Sequence, residues 1–456
     1  MTTLDPRPPY SPDELAALYP SNLQLHLVHV IFRHGERTPV VSRFQNAGLA
    51  PFWPYCQAAS RFKAAVMEPR AGWSFLTFQR RMETFGKKGE NVVATGPGGE
   101  RGNVCLLGEL TDRGRETTLQ LGQRLRHLYI RQLGFLPENL GSQSEYYLRA
   151  SPITRAIESL EQVFIGLYPS TNRSPTDPPA TIYTRSFAEE NLYPNDSGCK
   201  RLRQLTRAFS KLAAEKWNDS PEMQHLQSRI GKWVDGKIAV DGHPSLFGIF
   251  DSVNSTLAHG EATKLPNEFY EPRVREIMSD INVDEWYRGF NQSSEYRRLG
   301  VGSLLGDVKD RMLASVKHDT NEDGRLKIGL MGCHDTTIGG LLASLGGFDE
   351  KWPPFTSSIA FEMFREKERN KSRGVFSKLF GAKNEEEGWY VRLRYNDKPV
   401  YVKSCRVTGR HLEGDESFCT LTAFKEIVER MVPQDWKGEC LSNVDKTGIP
   451  PIEEVE

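Results

Sequence analysis

No stretch of the 456 residues approaches the roughly 18 consecutive apolar positions that a membrane-crossing helix needs. Neither sign of charge is in excess: Lys and Arg total 59, and Asp and Glu total 59. A chain balanced in this way offers no broad cationic face, so nucleic acid is not an expected partner. Cys-x-x-Cys is absent and the seven cysteines are scattered, so no metal site is expected. The opening MTTLDPRPPYSPDELAALYPSN has no basic start and no apolar centre. It carries Asp5, Asp13 and Glu14, which suits neither a secretory signal nor a transit peptide. Together these absences predict an intracellular protein, cytoplasmic or mitochondrial rather than secreted, with reduced thiols. Asn-x-Ser/Thr sequons at Asn172, Asn195, Asn218, Asn254, Asn291 and Asn370 are not expected to be glycosylated in that setting.

What is present begins with composition. A hydrophobic share of 38% and a charged share of 26% suit a globular chain with a sizeable core. The chain is organised around LHLVHVIFRHGERTP, residues 25–39. Leu25, Leu27, Val28, Val30, Ile31 and Phe32 form a run apolar at nearly every position, which reads as a strand buried on both faces. The run ends in Arg33, His34, Gly35, Glu36 and Arg37. Polar groups just past the carboxyl end of an inner strand serve ligands in open α/β sheets. Guanidinium forks suit a pair of phosphate oxygens, and a neutral imidazole can attack phosphorus. Gly35 permits either a close backbone approach or a φ that a β-carbon forbids. A second run, LKIGLMGC at residues 326–333, repeats the arrangement and ends in His334 and Asp335, with a helix following.

Between them lie further elements. Thr111 is a candidate N-cap for a helix reaching Tyr129, with Leu121, Leu125 and Leu128 on one face. Tyr146–Arg149 reads as a strand, and Ser151-Pro152 as the start of a helix carrying Ile157, Leu160, Phe164 and Leu167. Arg155 then falls in the first turn, where a cation is unfavourable unless an anion is also bound. The region 40–108 is aromatic-rich, and its aromatics are expected to form a small core of their own.

RHGERTP matches the RHGxRxP signature of the histidine acid phosphatases, within the phosphoglycerate-mutase-like superfamily. The text LTDRGRETTLQLGQRLR resembles that family's first core helix, and RASPITRAIES its arginine-bearing segment. GGFDEKWPPF looks like the lysophosphatidic-acid phosphatase branch. The resemblance implies His34 as nucleophile and Asp335 as general acid. It implies Arg33, Arg37, Arg155 and His334 as ligands of the substrate phosphate, with no cofactor and no metal. Arg149 is left ambiguous. A disulfide between Cys405 and Cys419 is also implied, because relatives often carry a late cysteine pair there.

The fold expected is α/β: a central, mostly parallel sheet flanked by helices, with a mainly helical cap formed by insertions. Residues 22–45, 105–188 and 303–445 make the core, 46–104 and 189–302 the cap, and 1–21 and 446–456 loose termini. The stretch 371–383 alternates basic and apolar residues. A mobile charged loop is favoured there over a peripheral membrane contact. The function expected is hydrolysis of a small-molecule phosphate monoester through a phosphohistidine, with a lysophospholipid as one substrate the branch implies. The alternatives are a phytase-like or inositol-phosphate phosphatase, and a non-catalytic relative that binds a phosphorylated ligand.

Overall fold

A computed structural model describes residues 8–456 apart from 70–71, 175, 177, 318–323, 368–384, 447, 450, 454 and 456. The 371–383 patch therefore lies outside the described residues. At the centre is the expected buried strand, Leu23–Arg33, fully covered from His26 onward. It pairs in parallel with Ile328–Cys333, which in turn pairs in parallel with Tyr146–Ala150, and that with Ile182–Tyr183. On its other side it pairs antiparallel with Ser358–Glu366, followed by Trp389–Tyr395, Asp415–Thr420 and His411–Leu412. The half of the sheet that carries both motifs is thus parallel. Lys398–Val400 closes a hairpin on Trp389–Tyr395, and Asn396 and Asp397 supply the two positive φ angles that its tight turn needs.

Helices cover both faces. Asp112–Leu125 and Thr154–Leu167 pack against each other on one side. Thr111 caps the first of them by accepting from the Gly114 amide. The second starts later than expected: its N-cap is Ile153, and Ser151 serves a different partner described below. The region 189–302 is mainly helical, with Lys200–Trp217, Leu246–Leu257 and Pro272–Gln292 as its main members. It is not a separate body: Phe209, Ile249 and Ile281 share one hydrophobic core with Leu27, Ile31 and Met331 of the sheet.

Three expectations are corrected. The described parts of the termini are anchored, while residues 1–7 lie outside the described residues. Ser11 caps a helix at Pro12–Leu18, Tyr10 hydroxyl is bonded by Arg394, and the Glu453 amide donates to Gln292. The thiols are mostly oxidised. Cys56–Cys105, Cys199–Cys440 and Cys405–Cys419 are disulfides, and Cys333 is a buried free thiol. The aromatics of 40–108 do not form one small core. Phe44 and Trp53 are buried, but Phe62, Trp73, Phe75, Phe78 and Phe85 stand exposed on two hairpins. The strands there are too short and too few to enclose their own side chains.

Candidate active site

Register sets the site. Arg33 pairs with Cys333, and Ala150 with Gly332, so three parallel strands end at one level. His34, His334 and Ser151 are the next residues on each. The His34 amide donates to Cys333 O at 3.0 Å, and the His34 and His334 rings lie 5.5 Å apart. Ser151 meets His334 Nε2 through its hydroxyl at 2.8 Å, which occupies the side chain that sequence reading had assigned to a helix cap.

The tautomer of His34 follows from one contact. Its Nδ1 lies 2.8 Å from Gly35 O, which can only accept, so Nδ1 carries the proton and Nε2 the lone pair. Nε2 makes no hydrogen bond among the described residues. Burial holds the His34 pKa well below the ordinary value, and the charges of Arg155, Arg33 and Arg37 push it lower still. The same causes, burial and then Arg155, bring His334 down to about 3. Both imidazoles are therefore biased toward the neutral form.

The cations are held from behind. Arg33 Nη2 pairs with Asp335 at 2.6 Å, its Nη1 donates to Pro353 O at 2.7 Å, and its guanidinium lies 4.1 Å over the Phe355 ring. Arg37 pairs with Asp251 at 2.8 Å, and Asp251 also accepts from the Val40 amide. Arg155, in the first turn of its helix, donates only a long bond to Gly108 O at 3.5 Å and has no ion pair among the described residues. Burial, then Arg37, lowers its pKa to about 9. Arg33, Arg37 and Arg155 each keep a buried Nε without a partner among the described residues. Three desolvated guanidiniums in one place are costly unless an anion comes to them.

Asp335 opens the helix Asp335–Ser344. Burial alone would raise its pKa, but Arg33, Arg37 and His334 outweigh it and hold the carboxyl below the usual range. Trp352 Nε1 donates to Asp335 Oδ2 at 3.3 Å.

All six candidate residues are thus brought together: His34, Asp335, Arg33, Arg37, Arg155 and His334. Arg149 is not with them. It is spent on Glu190 at 2.6 Å, Asn191 at 2.5 Å and Asp307 at 3.0 Å. Sequence reading missed Asp251, which orients Arg37 from a cap helix with no local text to mark it. It read WPPF as a mark of the branch, not as part of the site. Trp352, Pro353 and Phe355 line the site instead, and an aromatic-proline run beside a ligand motif was the available signal. Gly35 has no positive φ. A β-carbon there would lie 2.2 Å from Gly114 O, so the glycine serves a close helix approach.

One cluster of possible metal ligands occurs among the described residues, Cys56, Cys105 and Glu109. Its sulfurs are joined in a disulfide, and Arg80 holds Glu109 with two bonds of 2.6 Å, so the donors are already engaged.

A family model described as histidine phosphatase superfamily (branch 2) matches residues 24–396. A probable acid phosphatase of Schizosaccharomyces pombe is 35% identical over 457 residues, covering 94% of this chain and 96% of that one. Lysophosphatidic acid phosphatase type 6 of Homo sapiens is 26% identical over 402 residues, covering 84% of this chain and 80% of its own. Among solved structures, the Hafnia alvei phytase with tartrate aligns over 92% of this chain and 99% of that one, with TM-score 0.52 and 14% identity. The multiple inositol polyphosphate phosphatase of Bifidobacterium longum with inositol hexasulfate aligns over 95% and 98%, with TM-score 0.55 and 12% identity. At such identities these two structures are similar in fold alone.

Proposed function

The chain belongs to branch 2 of the histidine phosphatase superfamily, and from that premise we propose how its residues divide the hydrolysis of a phosphate monoester. His34 attacks phosphorus through Nε2 while Nδ1 stays on Gly35 O. The bond to the ester oxygen breaks, and Asp335 delivers a proton to that oxygen as it leaves. Asp335 then takes a proton from water, whose oxygen displaces His34 from phosphorus and frees inorganic phosphate. Arg33, Arg37, Arg155 and His334 hold the phosphoryl oxygens and the charge that builds on them.

The observation that carries this reading is the pairing of His34, its lone pair on Nε2, with a partly buried Arg155 that has no ion pair among the described residues. Acid conditions suit it. Burial and the arginines disfavour protonation of His34, while Asp335, paired with Arg33, gains its proton more readily as the substrate draws Arg33 away. The test is phosphate release from an aryl phosphate at pH 5 and pH 7. Activity that survives His34→Ala would overturn the assignment.

For the substrate we propose a lysophospholipid of the lysophosphatidic acid kind. Val40, Val41, Leu106 and Leu107 are 40–54% exposed in a row beside Gly108, whose carbonyl accepts from Arg155. An apolar rim against a phosphate pocket suits an ester with a hydrocarbon part better than a polyanionic inositol. Comparing kcat/KM for lysophosphatidic acid and inositol hexakisphosphate decides it, and preference for the inositol would sink the lipid reading. The three disulfides favour an oxidising compartment over a reducing cytosol.

A further inference from the structure

The hairpin Arg61–Glu68 and Gly72–Gln79 stands away from the core with apolar side chains on both faces. Alternation puts Phe62, Val66, Leu76 and Phe78 on one face and Met67, Trp73 and Phe75 on the other. Phe62 and Phe78 stack at 5.6 Å. The paired Met67 and Trp73 are 70% and 69% exposed, and Phe75 is 65% exposed. A two-stranded hairpin is marginal in water on its own, and one showing aromatics on both sides needs a cover.

The kind of cover follows from geometry and charge. A protein partner docking flat would hide one face, whereas a fluid apolar medium surrounds both. Across 61–91 the described residues carry six basic side chains and three acidic ones, in a chain that is neutral overall. Arg61, Lys63, Arg81, Lys87 and Lys88 are exposed and form no ion pair among the described residues. Aromatic side chains flanked by unpaired cations are the chemistry of an anionic lipid interface. Of the three acids, Glu68 lies at the far end of the hairpin, where it accepts from the Ser74 hydroxyl.

The hairpin is also fastened to the catalytic loop. Cys56–Cys105 crosslinks its base, and Arg80, just past the second strand, grips Glu109. Thr38, the residue after Arg37, donates its amide to Glu109 O, and the Glu109 amide donates to the Thr38 hydroxyl. Exposed Leu106 and Leu107 lie between the two anchor points.

We propose that this hairpin enters an anionic lipid surface and seats the mouth of the site against it. The proposal deepens the lysophospholipid reading and rests on it for its purpose, but its binding test is independent. The full chain is sedimented with phosphatidylcholine vesicles, with and without phosphatidylserine. Wild type is expected to bind the anionic vesicles, and to bind them less as salt screens the cations. Trp73→Ser with Phe75→Ser should weaken binding by at least about tenfold and leave aryl phosphate turnover unchanged, which shows the variant is folded. No vesicle binding by wild type, or equal binding by the variant, overturns the proposal. So does a wild-type dimer that the variant converts to monomer without vesicle binding, since a second copy would then be the cover. Both proteins are also assayed on a short-chain lysophosphatidic acid below its aggregation limit. Failure of both there, with wild-type vesicle binding intact, removes the substrate reading and leaves the anchor standing.

Discussion

A histidine that is to attack phosphorus in acid has to avoid its own protonation, and His34 does so by position. Burial and three arginines keep its pKa far below the ordinary 6.5. The acid limb of kcat/KM is therefore expected well below pH 6.5, and a pH–rate profile that already falls at that point would contradict the assignment. Replacing His34 by Ala should cost roughly 10⁴-fold or more in kcat, as removal of a nucleophile does. Asp335 is tested differently. Its proton matters most when the departing oxygen is basic, so Asp335→Asn should slow an alkyl phosphate by about 10²–10⁴-fold and an aryl phosphate much less. Equal losses on the two substrates would assign Asp335 to positioning Arg33 rather than to acid catalysis. At this scale the sequence was most readable where chemistry is contiguous. Arg33, His34 and Arg37 stand in one heptapeptide at a strand end, and His334-Asp335 repeats the pattern. Asp251, more than two hundred residues from its partner Arg37, carries no local signature and became visible only in three dimensions.

Elements meet at two places where a small change should be felt. Helix Asp112–Leu125 sits directly on the catalytic loop: a β-carbon on Gly114 would lie 2.2 Å from Glu36 O. Gly114→Ala is expected to cost at least about 1–3 kcal/mol and to lower kcat by shifting the loop, read as a lower Tm together with reduced turnover. The second place is the sheet face under the N-terminus. Glu362, wholly buried, accepts from Arg392 at 2.7 Å, from Arg394 at 3.1 Å and from the hydroxyls of Tyr19 and Tyr129. Burial opposes its charge, yet the two arginines bring its pKa down to about 2 from 4.5. A depressed folded pKa gives stability that is present above pH 4.5 and lost as the pH falls toward 2. The size is about 3 kcal/mol. Tm of wild type should thus drop across that window, and Glu362→Gln should be less stable at pH 6, by about 3–5 kcal/mol, with a flatter acid slope. This network also explains why the termini were misjudged. Tyr10 and Tyr19 sit in a Pro-rich stretch that looks unstructured, and their partners, Arg394 and Glu362, lie 384 and 343 positions later.

For the whole molecule, the legible part is the architecture and the illegible part is what crosses it. Buried runs such as LVHVIF announce parallel strands, and the helices beside them follow from spacing. Pairing across the chain does not. Cys199 and Cys440 lie 241 residues apart, and neither neighbourhood points to the other. Even so, the bond ties the start of cap helix Lys200–Trp217 to the C-terminal segment, so cap and core are held by covalent closure as well as by shared packing. A cap tied in this way is less free to swing as a lid. The oxidation state then has a direct measure. Native protein should show no thiol to an aromatic disulfide reagent, because Cys333 is buried and its pKa is pushed up by burial. Denatured without reductant, it should show one thiol per chain, and with reductant all seven cysteines of the sequence. Seven thiols without reductant would return the molecule to a reduced state and remove the case for an oxidising compartment. If one is found, Cys199→Ser with Cys440→Ser should lower stability by about 2–5 kcal/mol, since closing so long a loop restricts the unfolded chain most. Turnover at low temperature should persist, because packing between Phe209, Ile281 and Met331 remains to hold the cap over the catalytic strands.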